Sequence, residues 1–217
     1  TSMFYLGFNW LDPVVGPGNS AEDARRAKLL RQAIAIAMDW EEFSQIFTNG
    51  RAVPAHGPVP PGLFGFEEGE AGYNTQVYNI VDGKPVRKPV EDALALLKQA
   101  GYDNGIDPKT GQPLTLALDT TGGGPGDKAR FDWYRKQFAK LNIQLDIRAT
   151  DWNRFQEKIR KGNAQIFFLG WNADYPDPEN FLFLLYGPNS RAKTAGENAS
   201  NYSNAQYDAM FERMKTM

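Results

Sequence analysis

The chain has 217 residues, with 24 Lys and Arg against 26 Asp and Glu, a net charge of −2 and no cysteine. That balance, without a basic stripe, argues against nucleic acid or any polyanion as a partner, and the missing thiols exclude disulfides, thiol catalysis and thiolate metal sites. No apolar run reaches the roughly eighteen residues of a membrane span, while aromatic residues at 13% favour a site that grips its ligand by ring faces.

In chain order, TSMFYLGFNW alternates as a strand over 2–9 and lacks the basic start and long apolar core of an export signal. A first residue of Thr points to processing or truncation. After a Pro/Gly loop, residues 21–38 carry Leu29, Leu30, Ala33, Ile34 and Ala37 on one helical face. Asp39 is placed to cap a second short helix, WEEFSQIF, that stops at Asn49-Gly50. Residues 51–88 hold most of the turn chemistry, and so long a stretch implies a loop packed over a site or scaffold. Pro89 opens and Gly101 stops a helix over 89–101, with Leu94, Leu96 and Leu97 as its apolar surface. A turn cluster at 102–113 precedes a strand at 114–119 and a helix at 128–141. A strand at 143–149, a helix at 151–162 capped by Asp151 and a buried strand at 164–171 follow. DPENFLFLLY (177–186) and NAQYDAMFERMK (204–215) close the chain as helices. Strands alternating with helices predict an α/β fold with a substantially parallel sheet. No repeat or linker divides the chain, so one domain over 1–217 is expected.

Three motifs invite chemistry and do not sustain it. GGGPGDK (122–128) is a glycine-rich turn into a helix, the setting in which backbone N–H groups hold anions. Asp127, however, separates Gly126 from Lys128, and Ala129 stands where a phosphate loop needs Ser or Thr. DNGIDPKTG (103–111) lacks the alternating oxygen ligands and terminal Glu of a calcium loop. His56 is the single histidine, so a two-histidine zinc site is impossible. In PAHGPVPPG it reads as a loop residue hydrogen-bonded to backbone.

The stretch FFLGWNADYPDPENFLFLL (167–185) gathers Asp174, Asp177 and Glu179. Asp177-Pro178-Glu179 has the form of a helix start: a capping acid, a proline where the missing N–H costs nothing, and a carboxylate in the first turn. Asp174 lies past the end of the strand, where α/β sheets bind ligands. Beside the indole of Trp171 and the phenol of Tyr175 it can hold an ammonium group; the alternative is a surface turn residue.

The ordered segments FNWLDPVVG, LLRQAIAIAMDWEEF, NGRAVPAHGPVPPGLFGF, ALALLKQAGYDNGIDPKTGQPLTL, KQFAKLNIQLDI, DWNRFQEKIRKGNAQIFFLGWNADYPDPENFL and NASNYSNAQYD resemble the extracytoplasmic solute-binding proteins of peptide/nickel-type ABC transporters. These form family 5, the oligopeptide- and dipeptide-binding group, and the likeness covers essentially the whole chain. It implies a lobe of the type II periplasmic-binding-protein kind, a mixed sheet flanked by helices, forming the C-terminal-side lobe of a two-lobed protein. Its partners would be a peptide or peptide-like solute, the remaining lobe and a membrane permease, outside the bacterial cytoplasm in the periplasm. No cofactor, metal or catalytic residue is implied. The family's GW-x-x-D turn maps to Gly170, Trp171, Asn172, Ala173 and Asp174, with Tyr175 adjacent. There the aspartate pairs with a peptide's α-ammonium and backbone around the Trp pairs with its main chain. Some members place a basic residue shortly before this Trp for the peptide's carboxylate; IFFLG is apolar here. Since the family also includes binders of sugars, opines and metal chelates, ligand size and class stay open. The rival expectation is a carboxylate-dependent glycoside hydrolase or a sugar-binding module.

Overall fold

The computed structural model describes residues 1–217. The chain forms β1 (Ser2–Phe8), α1 (Ala21–Ala37), α2 (Trp40–Phe47), β2 (Tyr78–Val81), β3 (Lys84–Arg87) and α3 (Val90–Gln99). Next come β4 (Ile106–Asp107), β5 (Gln112–Pro113), β6 (Thr115–Thr121), α4 (Asp127–Ala139), β7 (Gln144–Thr150) and α5 (Trp152–Lys161). The last elements are β8 (Ile166–Asn172), α6 (Glu179–Leu182), α7 (Arg191–Thr194) and α8 (Ala205–Lys215).

The central sheet has the order β1-β8-β6-β7. β6 and β7 run parallel from Thr115↔Gln144 to Thr121↔Thr150, whereas β6 and β8 are in parallel register only at Leu118↔Ile166 and Asp119↔Phe167. β1 lies antiparallel on β8, from Ser2↔Asn172 to Phe8↔Ile166. The sheet is therefore mixed rather than substantially parallel. Its parallel pairs come from crossover helices α4 and α5, while the chain's first strand arrives from the far end and runs the other way.

Strand alternation divides the side chains between two faces. Leu116, Leu118 and Ile166 meet Leu30, Ala33 and Ile34 of α1, Leu97 of α3, and Trp133, Tyr134 and Phe138 of α4 in the main core. The opposite face is smaller: Phe155 and Ile159 of α5 cover Phe167, with Ala164 and Ala199 alongside. The caps follow from local chemistry. The Asp39 and Asp151 side chains accept from the N–H of Glu42 and Arg154, and α5 ends at Gly162 in the left-handed region (φ 71°).

Two segments differ from expectation. Residues 78–87, expected as turn chemistry, form a β-hairpin whose turn residues Asp82 and Gly83 both have positive φ (51° and 76°). That is the primed turn matching the natural strand twist. The hairpin is seated on the α1–α2 corner: Arg87 donates to Ala35 O (2.9 Å), Ile36 O (3.1 Å) and Glu41 Oε2 (2.9 Å), and Tyr78 donates to the other Glu41 oxygen. The long loop thus packs on scaffold. The expected helix over 177–186 is a single turn, α6, followed by a 3₁₀ turn at Phe183–Leu185; Gly187-Pro188 lies too close for the helix to continue.

His56 Nδ1 accepts the Asn74 N–H (3.1 Å), and the ring packs against Tyr73 and Tyr78 at centroid distances of 5.1 and 4.7 Å. Burial holds its pKa below the ordinary value, Glu41 opposing and Arg87 assisting. The folded state therefore binds fewer protons here than the unfolded chain. The associated stability is present above the unfolded value of about 6.5 and is lost as pH falls through the folded one. His56→Gln is expected to reduce the drop in urea midpoint between about pH 7 and pH 5; an undiminished drop would assign it to other groups.

Candidate functional site

Because β6, β7 and β8 are parallel, their carboxyl ends share one edge of the sheet, where ligand crevices form in open α/β sheets. All six expected site residues are there, at the end of β8 and in the turn after it. Phe168 faces α4, stacked with Phe4 and tilted against Tyr134 (each 6.1 Å between centroids). Leu169 and Phe167 point to the α5 side. Gly170 lies under the Phe4 ring, and a Cβ there would come within 2.5 Å of Phe4 Cδ1.

Bonds from Asn9 N to Gln165 O (2.9 Å) and from Ala173 N to Thr1 O (3.0 Å) bracket the β1–β8 ladder. They fix its parity: odd-numbered residues of β8 bond β1, and even-numbered ones face away. Since β6 is in register with β8 only at Ile166 and Phe167, the main-chain groups of Gly170 and Asn172 face the open end of the sheet. The Asn172 side chain is exposed and accepts from Ser2 Oγ at 2.6 Å; Ala173 is half-buried.

The turn from Trp171 to Asp174 is organised by a residue that the sequence reading passed over. Asn180, 1% exposed in α6, accepts the Trp171 indole Nε1–H (3.2 Å) and the Asp174 main-chain N–H (2.7 Å) on one oxygen. Trp171 also stands edge-on to Phe183 at 5.3 Å. Asp174 enters this network only through its main chain, leaving its carboxylate exposed. Tyr175 is 42% exposed; partial burial and the Glu179 carboxylate raise its pKa, a hydrogen bond with the Asn180 side chain opposing them. Asp177 does what a helix start requires: its Oδ1 accepts the Glu179 N–H at 2.8 Å, and Pro178 has helical dihedrals (−58°, −26°).

Trp171 also forms one wall of a hollow of about 140 Å³, whose other lining includes Trp152, Phe155, Leu169, Leu184 and Arg191. A larger groove of about 340 Å³ lies between α4 and the first residues of β7, at the opposite end of the strands. It touches none of the site residues. The glycine turn at 122–126 is closed from within: Asp127 Oδ2 accepts from Gly123 N (2.9 Å) and Gly124 N (3.1 Å), and Oδ1 from Arg130 (3.2 Å). Those bonds, led by Gly123, lower the Asp127 pKa. The donors an anion would need are already used.

The mixed sheet with an antiparallel first strand and helices on both faces is the fold of periplasmic binding proteins. The fold of the periplasmic binding protein DppA from Helicobacter pylori, solved in complex with peptide STSA, superposes with a TM-score of 0.74 at 22% identity. That match covers 100% of this chain and 36% of the other. Residues 1–193 match the model of the bacterial extracellular solute-binding proteins, family 5 Middle, and the chain belongs to that family. The oligopeptide-binding protein OppA of Bacillus subtilis is 26% identical over 188 residues, 86% of this chain and 31% of its own length. Di/tripeptide-binding protein 4 of Pseudomonas aeruginosa is 30% identical over 176 residues, 78% of this chain and 28% of its own length. The chain thus spans less than a third of the length of OppA and of di/tripeptide-binding protein 4. No helix is long and apolar enough to cross a membrane.

Proposed function

We propose that this chain is the C-terminal-side lobe of a substrate-binding component of a bacterial ABC importer. The whole protein captures a peptide or peptide-like solute between two lobes in the periplasm and delivers it to a membrane permease. The observation that carries this reading is the end of β8. An exposed carboxylate without an ion-pair partner, outward-facing main-chain groups at Gly170 and Asn172, and a hollow between two tryptophans lie side by side. A peptide offers the complement of each: an α-ammonium for Asp174, a backbone that adds to the strand, and a side chain for the hollow. The peptide-binding relatives support the same ligand class.

Binding rather than catalysis is also favoured by the carboxylates. Glycoside hydrolysis needs two opposed acids, and Asp177 is committed to the Glu179 N–H. Calorimetry of the intact protein against di- to pentapeptides is expected to find at least one ligand of micromolar affinity or better. The lobe alone would bind it far more weakly because half the contacts are absent. Failure of every peptide, together with hydrolysis of chromogenic glycosides, would overturn the reading; submicromolar binding by the lobe alone would remove the two-lobed part of it.

A further inference from the structure

The Trp171 indole and the Asp174 main chain, at the two ends of the turn, are held by one oxygen atom. Asn180 is itself fixed, since its N–H donates to Asp177 O (3.1 Å) and its side chain is enclosed. A neutral amide oxygen has two lone pairs, and here one receives the Trp171 indole N–H and the other the Asp174 main-chain N–H. The first donor belongs to a wall of the hollow, the second to the residue whose carboxylate faces the ligand. A leucine of similar size accepts neither. An aspartate accepts both but sets a second negative charge beside Asp174, where it competes for the ligand's ammonium.

The geometry points to Asn180 as the positioning residue of the ligand site: its amide oxygen ties the side-chain hollow to the amine anchor, so the two subsites bind their parts of one ligand cooperatively. The coupling is physical. A ligand side chain that presses on the indole acts on a bond sharing its acceptor with the Asp174 N–H, and the angle at that oxygen sets where the Asp174 turn sits. This inference rests on the peptide-binding reading, but its first test does not.

In ¹⁵N NMR spectra of the unliganded protein, Asn180→Ala is expected to shift both the Trp171 indole and the Asp174 amide resonances, with Asn180→Asp keeping them near their native positions. Resonances that stay put in Asn180→Ala overturn the clamp, whatever the protein binds. With tri-leucine as probe, Asn180→Ala is expected to weaken binding about fivefold, the scale of one hydrogen bond. N-acetylated tri-leucine, which has no ammonium group, should lose little. In an Asp174→Ala background the Asn180 substitution should add almost nothing, the non-additivity of residues acting as a unit. Equal losses for free and acetylated peptide, or additive losses in the double variant, would make Asn180 a merely structural residue and overturn the proposal. Shifted resonances in a protein that binds neither peptide would sink the peptide reading and leave the clamp standing.

Discussion

Asp174→Ala in the intact protein is expected to weaken binding of a peptide with a free α-amino group at least about tenfold, since a charge-assisted hydrogen bond is worth roughly 1.5–3 kcal/mol. The expectation follows from how the residue is held. The Asp174 N–H is fixed at 2.7 Å from a buried amide oxygen, while its carboxylate is exposed and has no ion pair to lose. Substitution therefore removes a ligand contact and little folding energy, so the thermal midpoint should hardly change. An acetylated peptide serves as the control, because it has no ammonium to lose. Unchanged affinity for the free peptide would show that Asp174 is only a turn residue.

A second large effect is expected on stability. Asp119, 1% exposed on β6, is ion-paired with Lys158 of α5, whose side chain is 29% exposed, and Asp119 Oδ2 has no further hydrogen-bond partner in the chain. Removing the cation from such a pair leaves an uncompensated buried carboxylate, at a cost of about 3–5 kcal/mol. Lys158→Met should therefore destabilise the protein by about 3 kcal/mol in urea unfolding, at the low end because the amine is partly solvated. The Lys161–Glu157 pair on the same helix makes the comparison: both side chains are about half exposed, and Lys161→Ala should cost less than about 1 kcal/mol. Equal, small losses for both would place Asp119–Lys158 among ordinary surface pairs. Because α5 carries Trp152 to the hollow, Lys158→Met is also expected to loosen that wall.

Much of this could be read from residues whose role is local. Asp39, Asp151 and Asp177 announce helix starts through side chains that reach only two or three residues, and the structure keeps all three bonds. The end of β8 was legible because Trp171 closes an apolar run and Asp174 comes just after the strand. What escaped depends on partners distant in sequence or on a competing reading. Asp119 lies inside β6, and nothing in its neighbourhood names Lys158, 39 residues away. Asn180 sat inside a segment already explained as a helix start, although a buried amide one residue after that start was a signal in itself. The hairpin at 78–87 carried the Asp82-Gly83 turn signal, masked by the Pro and Gly around it. The direction of β1 could not be inferred from its alternation, which is the same in parallel and antiparallel strands.

The pairing of β1 with β8 bears on the order in which the sheet folds. Ser2 and Asn172, partners in that ladder, are 170 residues apart. A contact so remote in sequence forms late, because the loop between the strands must close before pairing rewards it. β1 therefore pairs later than β6 and β7, whose partners lie much closer in sequence. That late pairing fixes Trp171 and brings Phe4 over Gly170, so a partly folded chain would lack a finished β8 edge until β1 has docked.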